Sequence, residues 1–427
     1  MKKKKSKGSP NQPMGPYKRF LKDFYELLTE MDLQNCYFYF SPKEKHEMFD
    51  NLISLRITKA ANPHVNSKEI KLIDEQIRKC YRQRTISIEK TTLSVYHLWL
   101  MYMFYKMLAL GAEKTKENES SAQDFREFSE RYKEFCITYL LNDLQKVIYQ
   151  WCNPDIKYYM FKIDVFREFK AYQRIVVNAE INGIPAEKCM LKLNGHNRPA
   201  FRLATKQGHI LKWISIDPQI LCDFYKGNRR ELDVYIQSHA LQRLKERLDL
   251  LDQGTINYTL WINTQNIEHF EVYNNYLLLP FKLYDIKVGY LVANIIDHKL
   301  LFRTFLFVTH NCTPEGDLLK TLTGLEKQDI QYWRIDRLST FIALDEQKHA
   351  DLIRLFEQAG IGHLSQLKNK KFNVESMQTG HLDGFMEYIS RSVKAAQDME
   401  EQLGAGEQAE QQAFIEEVDG TDSYPQD

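Results

Sequence analysis

Three basic side chains in one short segment are spaced so that a helix would bring them to one face. Between residues 238 and 248, His239, Arg243 and Arg247 recur every fourth position, close to the period of an α-helix. An imidazole can exchange protons near neutral pH, and guanidinium groups hold phosphate oxygens with paired hydrogen bonds. Metal-independent cleavage of an RNA phosphodiester needs such groups: a base, an acid and cations facing the phosphorane.

The other face of the same segment is apolar. Leu241, Leu244 and Leu248 would lie opposite the basic stripe, so the pattern predicts an amphipathic helix with its leucines buried. The alternative for the basic stripe, with Glu246 at its edge, is an ordinary solvated helix face, where arginine, lysine and glutamate are the default residues. Spacing alone leaves both interpretations open.

A second candidate lies at the end of a predicted strand, residues 300–309. Thr309 and His310 follow a run of alternating apolar residues, a place where sheet proteins often carry reactive side chains. The alternative is a simple turn, with Asn311 or Thr313 capping the next helix. Period-two alternation predicts two faces of this strand: Arg303, Phe305, Phe307 and Thr309 on one, and Phe302, Thr304, Leu306, Val308 and His310 on the other.

Motifs for cofactors and metals were sought in the same sequence. It contains no GxxxxGK[ST], no strand-to-helix GxGxxG and no HExxH. His310 with Cys312, and Asp297 with His298, are possible ligand pairs, but no four-ligand set is spelled out. We therefore predict no cofactor and no metal site. Adjacency of His310 and Cys312 also does not make a nucleophile pair, which needs spatial geometry.

The elements that would position these groups indicate an α+β fold. Helical periodicity predicts an α-helical domain over residues 16–152. An α+β domain with antiparallel sheet is predicted over residues 155–375, followed by a helix over residues 376–403. Within the α+β domain we predict four parts in order: a β-meander over 158–216 with Asn-Gly turns at 182–183 and 194–195, the His/Arg helix over 235–248, a second meander over 276–310, and C-terminal helices.

The two ends of the chain carry charges of opposite sign. Residues 1–22 carry eight Lys or Arg and no acid, whereas residues 398–427 carry ten Asp or Glu and no Lys or Arg. We predict a disordered basic tail over residues 1–15 and a disordered acidic tail over residues 404–427. Because the net charge is only +1, a nucleic-acid site would have to be a local patch, and the acidic segment could cover such a patch.

The cysteines and the most apolar stretch of the chain indicate where in the cell the protein is located. Seven cysteines without a CxxC pair favour reduced thiols and a cytoplasmic protein. The most apolar stretch, residues 93–110, contains His97 and Lys106, which would be costly inside a bilayer. We expect it to be the central helix of the helical domain, and we expect no membrane association.

The string His239-Ala240-x-x-Arg243-x-x-x-Arg247, followed by a meander that ends in a polar strand terminus, resembles the RelE/barnase-like superfamily of small ribonuclease toxins. The similarity covers about residues 235–312. The resemblance implies an RNA-cleavage site lined by His239, Arg243 and Arg247, with Thr309 or His310 contributing from the last strand. RNA is then the expected ligand.

A second class of function remains open at this point. The chain could be a non-enzymatic interaction or regulatory protein whose helical domain binds another protein. Geometry separates the two classes, because the nuclease interpretation requires His239, Arg243 and His310 to converge in one cleft.

Overall fold

The computed structural model describes residues 14–61, 64–88, 90–114, 119–169, 173–193, 195–370, 372, 382 and 384–389. The chain divides into two compact units. One comprises residues 1–152, 157–185 and 208–210, and the other comprises residues 153–156, 186–207 and 211–427. The expected α+β class is confirmed, since helices and mixed sheets both occur.

The first unit contains five α-helices, one short 3₁₀ helix (Gln34–Tyr39) and five strands among its described residues. In chain order the α-helices and strands are α1 (Pro16–Glu30), α2 (Pro42–Asp50), β1 (Ile53–Lys59), α3 (Ser67–Arg82), β2 (Ile86–Ile88), β3 (Thr91–Leu93), α4 (Val95–Lys114), α5 (Glu119–Trp151), β4 (Lys157–Phe169) and β5 (Gln173–Pro185). Helix α4 is the predicted apolar helix, and its residues from Val95 to Phe104 are all buried. Among the described residues, no helix has both the length and the apolar character that crossing a bilayer requires.

The first unit is not purely helical, which corrects the expected domain organisation. Strand β5 lies between β1 and β4, parallel to β1 and antiparallel to β4. The expected turn at Asn182-Gly183 is also wrong, because both residues lie inside β5 and pair with β4. A Cβ on Gly183 would lie 2.7 Å from Cγ2 of Val65. This glycine therefore allows close approach of another segment.

The remaining strands and helices are, in chain order, β6 (Lys188–Leu193), β7 (His196–Arg202), β8 (Ala204–Gln207), β9 (Ile210–Trp213), β10 (Ser215–Ile216), β11 (Leu232–Gln237), α6 (Ser238–Arg247), α7 (Gln253–Thr264), β12 (Glu271–Tyr273), β13 (Tyr276–Leu283), β14 (Ile286–Ile296), β15 (Lys299–Phe307), α8 (Pro314–Thr323), α9 (Lys327–Tyr332), α10 (Leu338–Ala343) and α11 (Ala350–Gln358). The main sheet of the second unit has the order β12-β13-β14-β15-β11-β7-β6, with β10 paired to β11. The expected single meander over 158–216 is thus divided, because β4 and β5 belong to another sheet.

Strand β11 was not predicted from the sequence, and it makes the second sheet mixed. It pairs parallel with β15 and antiparallel with β7. Its sequence, LDVYIQ, is buried at every position except Asp233. A strand buried on both faces lacks the polar alternation by which strands are recognised, which explains why the pattern missed it.

Strands β13, β14 and β15 form the expected second meander, but β15 ends at Phe307 instead of Thr309. Thr309 and His310 therefore lie in the turn that follows the strand, which was the alternative interpretation of this segment. Two-residue turns with positive φ at both positions, Tyr284-Asp285 and Asp297-His298, join β13 to β14 and β14 to β15. Between β6 and β7, Gly195 has φ +81°; Asn194 lies outside the described residues.

A β-bulge in β15 changes the expected faces of that strand. Ala293 pairs with Phe302 but Val292 pairs with Thr304, so Arg303 is the extra residue. As a result Phe302, Phe305 and Phe307 share one hydrophobic core, whereas simple alternation placed Phe302 on the opposite face. The same core receives Ala240 and Leu244 of α6.

Several expectations fall on residues outside the described ranges. The predicted disordered tails are among them, apart from residues 14 and 15. Of the helix expected over residues 376–403, the structure describes residues 382 and 384–389, and residues 385–389 are helical.

Candidate functional site

Helix α6 presents the predicted basic stripe. It begins directly after β11 and runs over Ser238–Arg247, whereas the expected helix began at residue 235, because residues 235–237 belong to β11. Leu244 and Leu248 are fully buried as expected, and so is Ala240, which anchors the helix on the core. Leu241, which was also expected to be buried, is half-buried at the edge of that core. The three basic residues of the stripe line a cavity, in which His239 and Arg243 are half-buried and Arg247 is buried.

The cavity lies in the second unit and has a volume of about 520 Å³. This is within the range typical of small-ligand sites. Both predicted imidazoles, His239 of α6 and His310 beyond β15, line it. Five cationic side chains also line it: Arg198, Arg243, Arg247, Arg303 and Lys327. His239, Arg243 and His310 therefore line one cavity, which is a condition of the nuclease interpretation.

Two of these cations have carboxylate partners. Arg243 donates to Glu246, which lies one turn further along α6 and also accepts from Gln242. Arg247 forms an ion pair with Asp336 in which both side chains are buried. The side chain of Arg247 is thus buried and paired with Asp336, whereas that of Arg243 is about one third exposed.

The other three cations have no carboxylate partner among the residues that the structure describes. Arg198 lies on β7, Arg303 on β15 and Lys327 at the start of α9. Arg303 donates to the amide oxygen of Asn294 at 3.4 Å. In the described part of the chain, no Asp or Glu lines the cavity. Such a surplus of positive charge in a concave site favours an anionic ligand.

The surroundings of both imidazoles favour their neutral forms. Burial lowers the pKa of His239, and the nearby Arg243 lowers it further. Burial also lowers the pKa of His310. The Nδ1 of His310 contacts the carbonyl oxygen of Asn311, so Nδ1 carries the proton and Nε2 is free to accept one.

The loop that carries His310 is fixed by the start of α8. The hydroxyl of Thr313 accepts from the N–H of Gly316 at 3.0 Å and contacts the His310 carbonyl oxygen at 2.7 Å. Thr313 is therefore the helix cap, one of the two residues that the sequence nominated. A Cβ on Gly316 would lie 2.0 Å from the His310 carbonyl oxygen, so only glycine permits this close packing.

Thr309 does not join the site. Its side chain is fully buried and its hydroxyl donates to the carbonyl oxygen of Ile335 at 2.9 Å. Cys312 does line the cavity, but burial raises the pKa of its thiol, so it is protonated at neutral pH and a poor nucleophile.

Sequence reasoning missed Arg198, Arg303 and Lys327. They come from three separate elements, and no local pattern marks them. Arg303 is the extra residue of the bulge in β15, and it lines the cavity together with the three residues that follow it. Among the described residues, no group of three or more His, Cys, Asp or Glu side chains forms a cluster that could hold a metal ion.

Comparison of the chain with protein-family models, with curated proteins and with solved structures found no match.

Proposed function

We propose that the cavity of the second unit binds RNA through a backbone phosphate and cleaves the chain there without a metal ion. The observation that carries the proposal is that one cavity is lined by two imidazoles with lowered pKa values, by Arg243 and by three cations without carboxylate partners among the described residues. A phosphodiester is the anion for which this combination has a chemical use, because its 2′-hydroxyl supplies an internal nucleophile.

The proposed reaction is a transesterification. One imidazole, His239 or His310, accepts the 2′-hydroxyl proton while O2′ attacks phosphorus. A phosphorane forms, and Arg243 and its cationic neighbours stabilise its charge. The P–O5′ bond then breaks, and the 5′-oxygen takes a proton from the other imidazole. The products are a 2′,3′-cyclic phosphate and a 5′-hydroxyl.

Without a ligand, the lowered pKa values of His239 and His310 suit the role of general base better than that of general acid. A neutral imidazole accepts a proton at once, but a donor must first be protonated. A bound phosphate anion would raise the pKa of a neighbouring histidine and supply that form. Arg247 takes a reduced role in this scheme, since Asp336 already engages it.

The proposal includes the RelE-like relationship and a cytoplasmic location. The RelE-like relationship is supported by the HAxxRxxxR helix beside a sheet whose last strand leads to His310. The cytoplasmic location is supported by the cysteines with described side chains, which are free thiols.

The deciding experiment incubates the purified chain with a panel of RNAs in EDTA. Wild type, His239→Ala and Arg243→Ala are compared with Lys245→Ala, an exposed lysine of the same helix outside the cavity. We expect wild type and Lys245→Ala to yield cyclic-phosphate ends, and the two cavity variants to lose at least about a hundredfold in rate. Equal cleavage by all four proteins would indicate a contaminant and end the proposal.

The second candidate function is protein binding by the first unit. Phe38 and Tyr39 are 70% and 72% exposed, and Phe38 packs edge-on against Tyr25 and Tyr37. Exposed aromatic clusters of this kind are enriched in protein interfaces. If this function holds, Phe38→Ser with Tyr39→Ser abolishes a specific protein contact and leaves RNA binding unchanged; loss of RNA binding instead would argue against it.

A further inference from the structure

We propose that the acidic segment 398–427 of this chain occupies the cationic cavity in the absence of RNA and competes with RNA for it. The inference rests on the proposed function only in naming RNA as the displaced ligand. It is argued from the path of the chain, from its reach and from charge.

The last described residues lie beside the wall of the cavity. Phe385 is fully buried, and its ring centroid is 5.0 Å from that of Trp333. The hydroxyl of Tyr388 donates to Oδ1 of Asp329 at 2.6 Å. Asp329 belongs to α9, the helix from which Lys327 and Gln331 line the cavity. The chain therefore leaves the second unit next to a helix that forms the site.

The distance to be covered is short for the chain that follows. Residues 390–397 precede the acidic segment, and eight residues span up to about 25 Å when extended. Asp329 is two residues from both Lys327 and Gln331, which places it on the opposite face of α9, a helix about 10 Å in diameter. A tethered segment at such range has an effective concentration of about a millimolar or more, so that even weak binding would fill the site.

The two partners are complementary in charge and in apolar character. The segment carries ten carboxylates and no Lys or Arg. The cavity carries three cations that have no carboxylate partner in the described part of the chain. Phe414 and Ile415 stand directly before Glu416 and Glu417. The cavity likewise combines its cations with an apolar lining that includes Val292 and Leu306.

The first test measures binding of a labelled synthetic peptide, residues 398–427, to a chain that ends at residue 397. The truncation leaves residues 385–389 and their packing in place. We expect binding at about 50 mM salt that weakens at least tenfold at about 300 mM. Arg243→Ala with Lys327→Ala should abolish it, and Lys245→Ala should not. Absence of binding, or binding unaffected by the cavity variants, would overturn the inference.

The second test measures affinity for a fluorescent single-stranded RNA by anisotropy. It compares the full chain, the truncated chain and a full-length variant with the ten acids changed to Asn or Gln. We expect both altered chains to bind RNA about tenfold more tightly than wild type at low salt. Equal affinities would overturn the inference while leaving the proposed function intact. Binding of the peptide to a chain that binds no RNA would overturn the proposed function and would leave intact the inference that the acidic segment occupies the cavity.

Discussion

The guanidinium of Arg247 and the carboxylate of Asp336 face each other across 2.5 Å, and their side chains are only 10% and 2% exposed. The pair joins the end of α6 to the segment before α10. Arg247 of the predicted basic stripe is thus engaged inside the protein, whereas Arg243, one turn earlier, pairs with Glu246 and is about one third exposed.

Breaking this pair should destabilise the second unit. Asp336→Asn leaves a buried guanidinium without its counter-charge, which costs about 3–5 kcal/mol in the free energy of unfolding. Urea denaturation measures the change. The matched control is Glu246→Gln, which removes the negative charge that pairs with Arg243. This pair is more exposed than the pair of Arg247 with Asp336, so its loss should cost about 1 kcal/mol or less. Similar losses in both variants would show that the buried pair has no special role.

Arg198 should contribute to RNA affinity as a phosphate contact. Arg198→Ala removes one cation of the cavity and should reduce the slope of log affinity against log salt by about 0.7. The measurement is a salt titration of RNA binding. Arg230→Ala serves as the control, because Arg230 is exposed and does not line the cavity. If both variants shift the slope alike, the effect is one of overall charge.

Gly316→Ala should displace the loop that carries His310. The added Cβ would lie 2.0 Å from the His310 carbonyl oxygen and 2.7 Å from Oγ1 of Thr313. Backbone must move to admit it, so we expect a loss of roughly 1–3 kcal/mol in stability together with loss of RNA cleavage. Gly111→Ala is the contrast: its Cβ meets nothing within 4 Å, and alanine favours a helix, so it should stabilise slightly. An unchanged cleavage rate in Gly316→Ala would remove His310 from the site.

His97 should make the first unit less stable in acid. Burial lowers the pKa of His97 from its ordinary 6.5 to about 4. The N–H of Ser94 also donates to its Nδ1 at 3.2 Å, which requires that nitrogen to be unprotonated. The unfolded chain takes up the proton first as pH falls, so about 3 kcal/mol of stability should be lost between pH 6.5 and pH 4. Denaturation midpoints of wild type and His97→Asn across that range test this. Parallel curves would contradict the assignment.

Features that depend on neighbouring residues could be predicted from the sequence. Helix α6 and the turn at Asp297-His298 follow from spacing within a few residues, and both are present. The faces of β15 could not be predicted, because the bulge at Arg303 depends on pairing with β14. Arg198 could not be assigned to the site for a similar reason. It lies on β7, which joins the sheet by pairing with β11, and β11 lacks the polar alternation by which a strand is recognised.

The parallel pairing of β1 with β5 has a consequence for synthesis on the ribosome. Ile53 pairs with Ile175, so β1 cannot find its neighbour until the chain beyond β5 has left the exit tunnel. The helices α1 to α5 emerge first, and the edge of β1 stays open meanwhile. Translation of the first unit is therefore followed by a late closing step, during which nascent chains are exposed to pairing with one another.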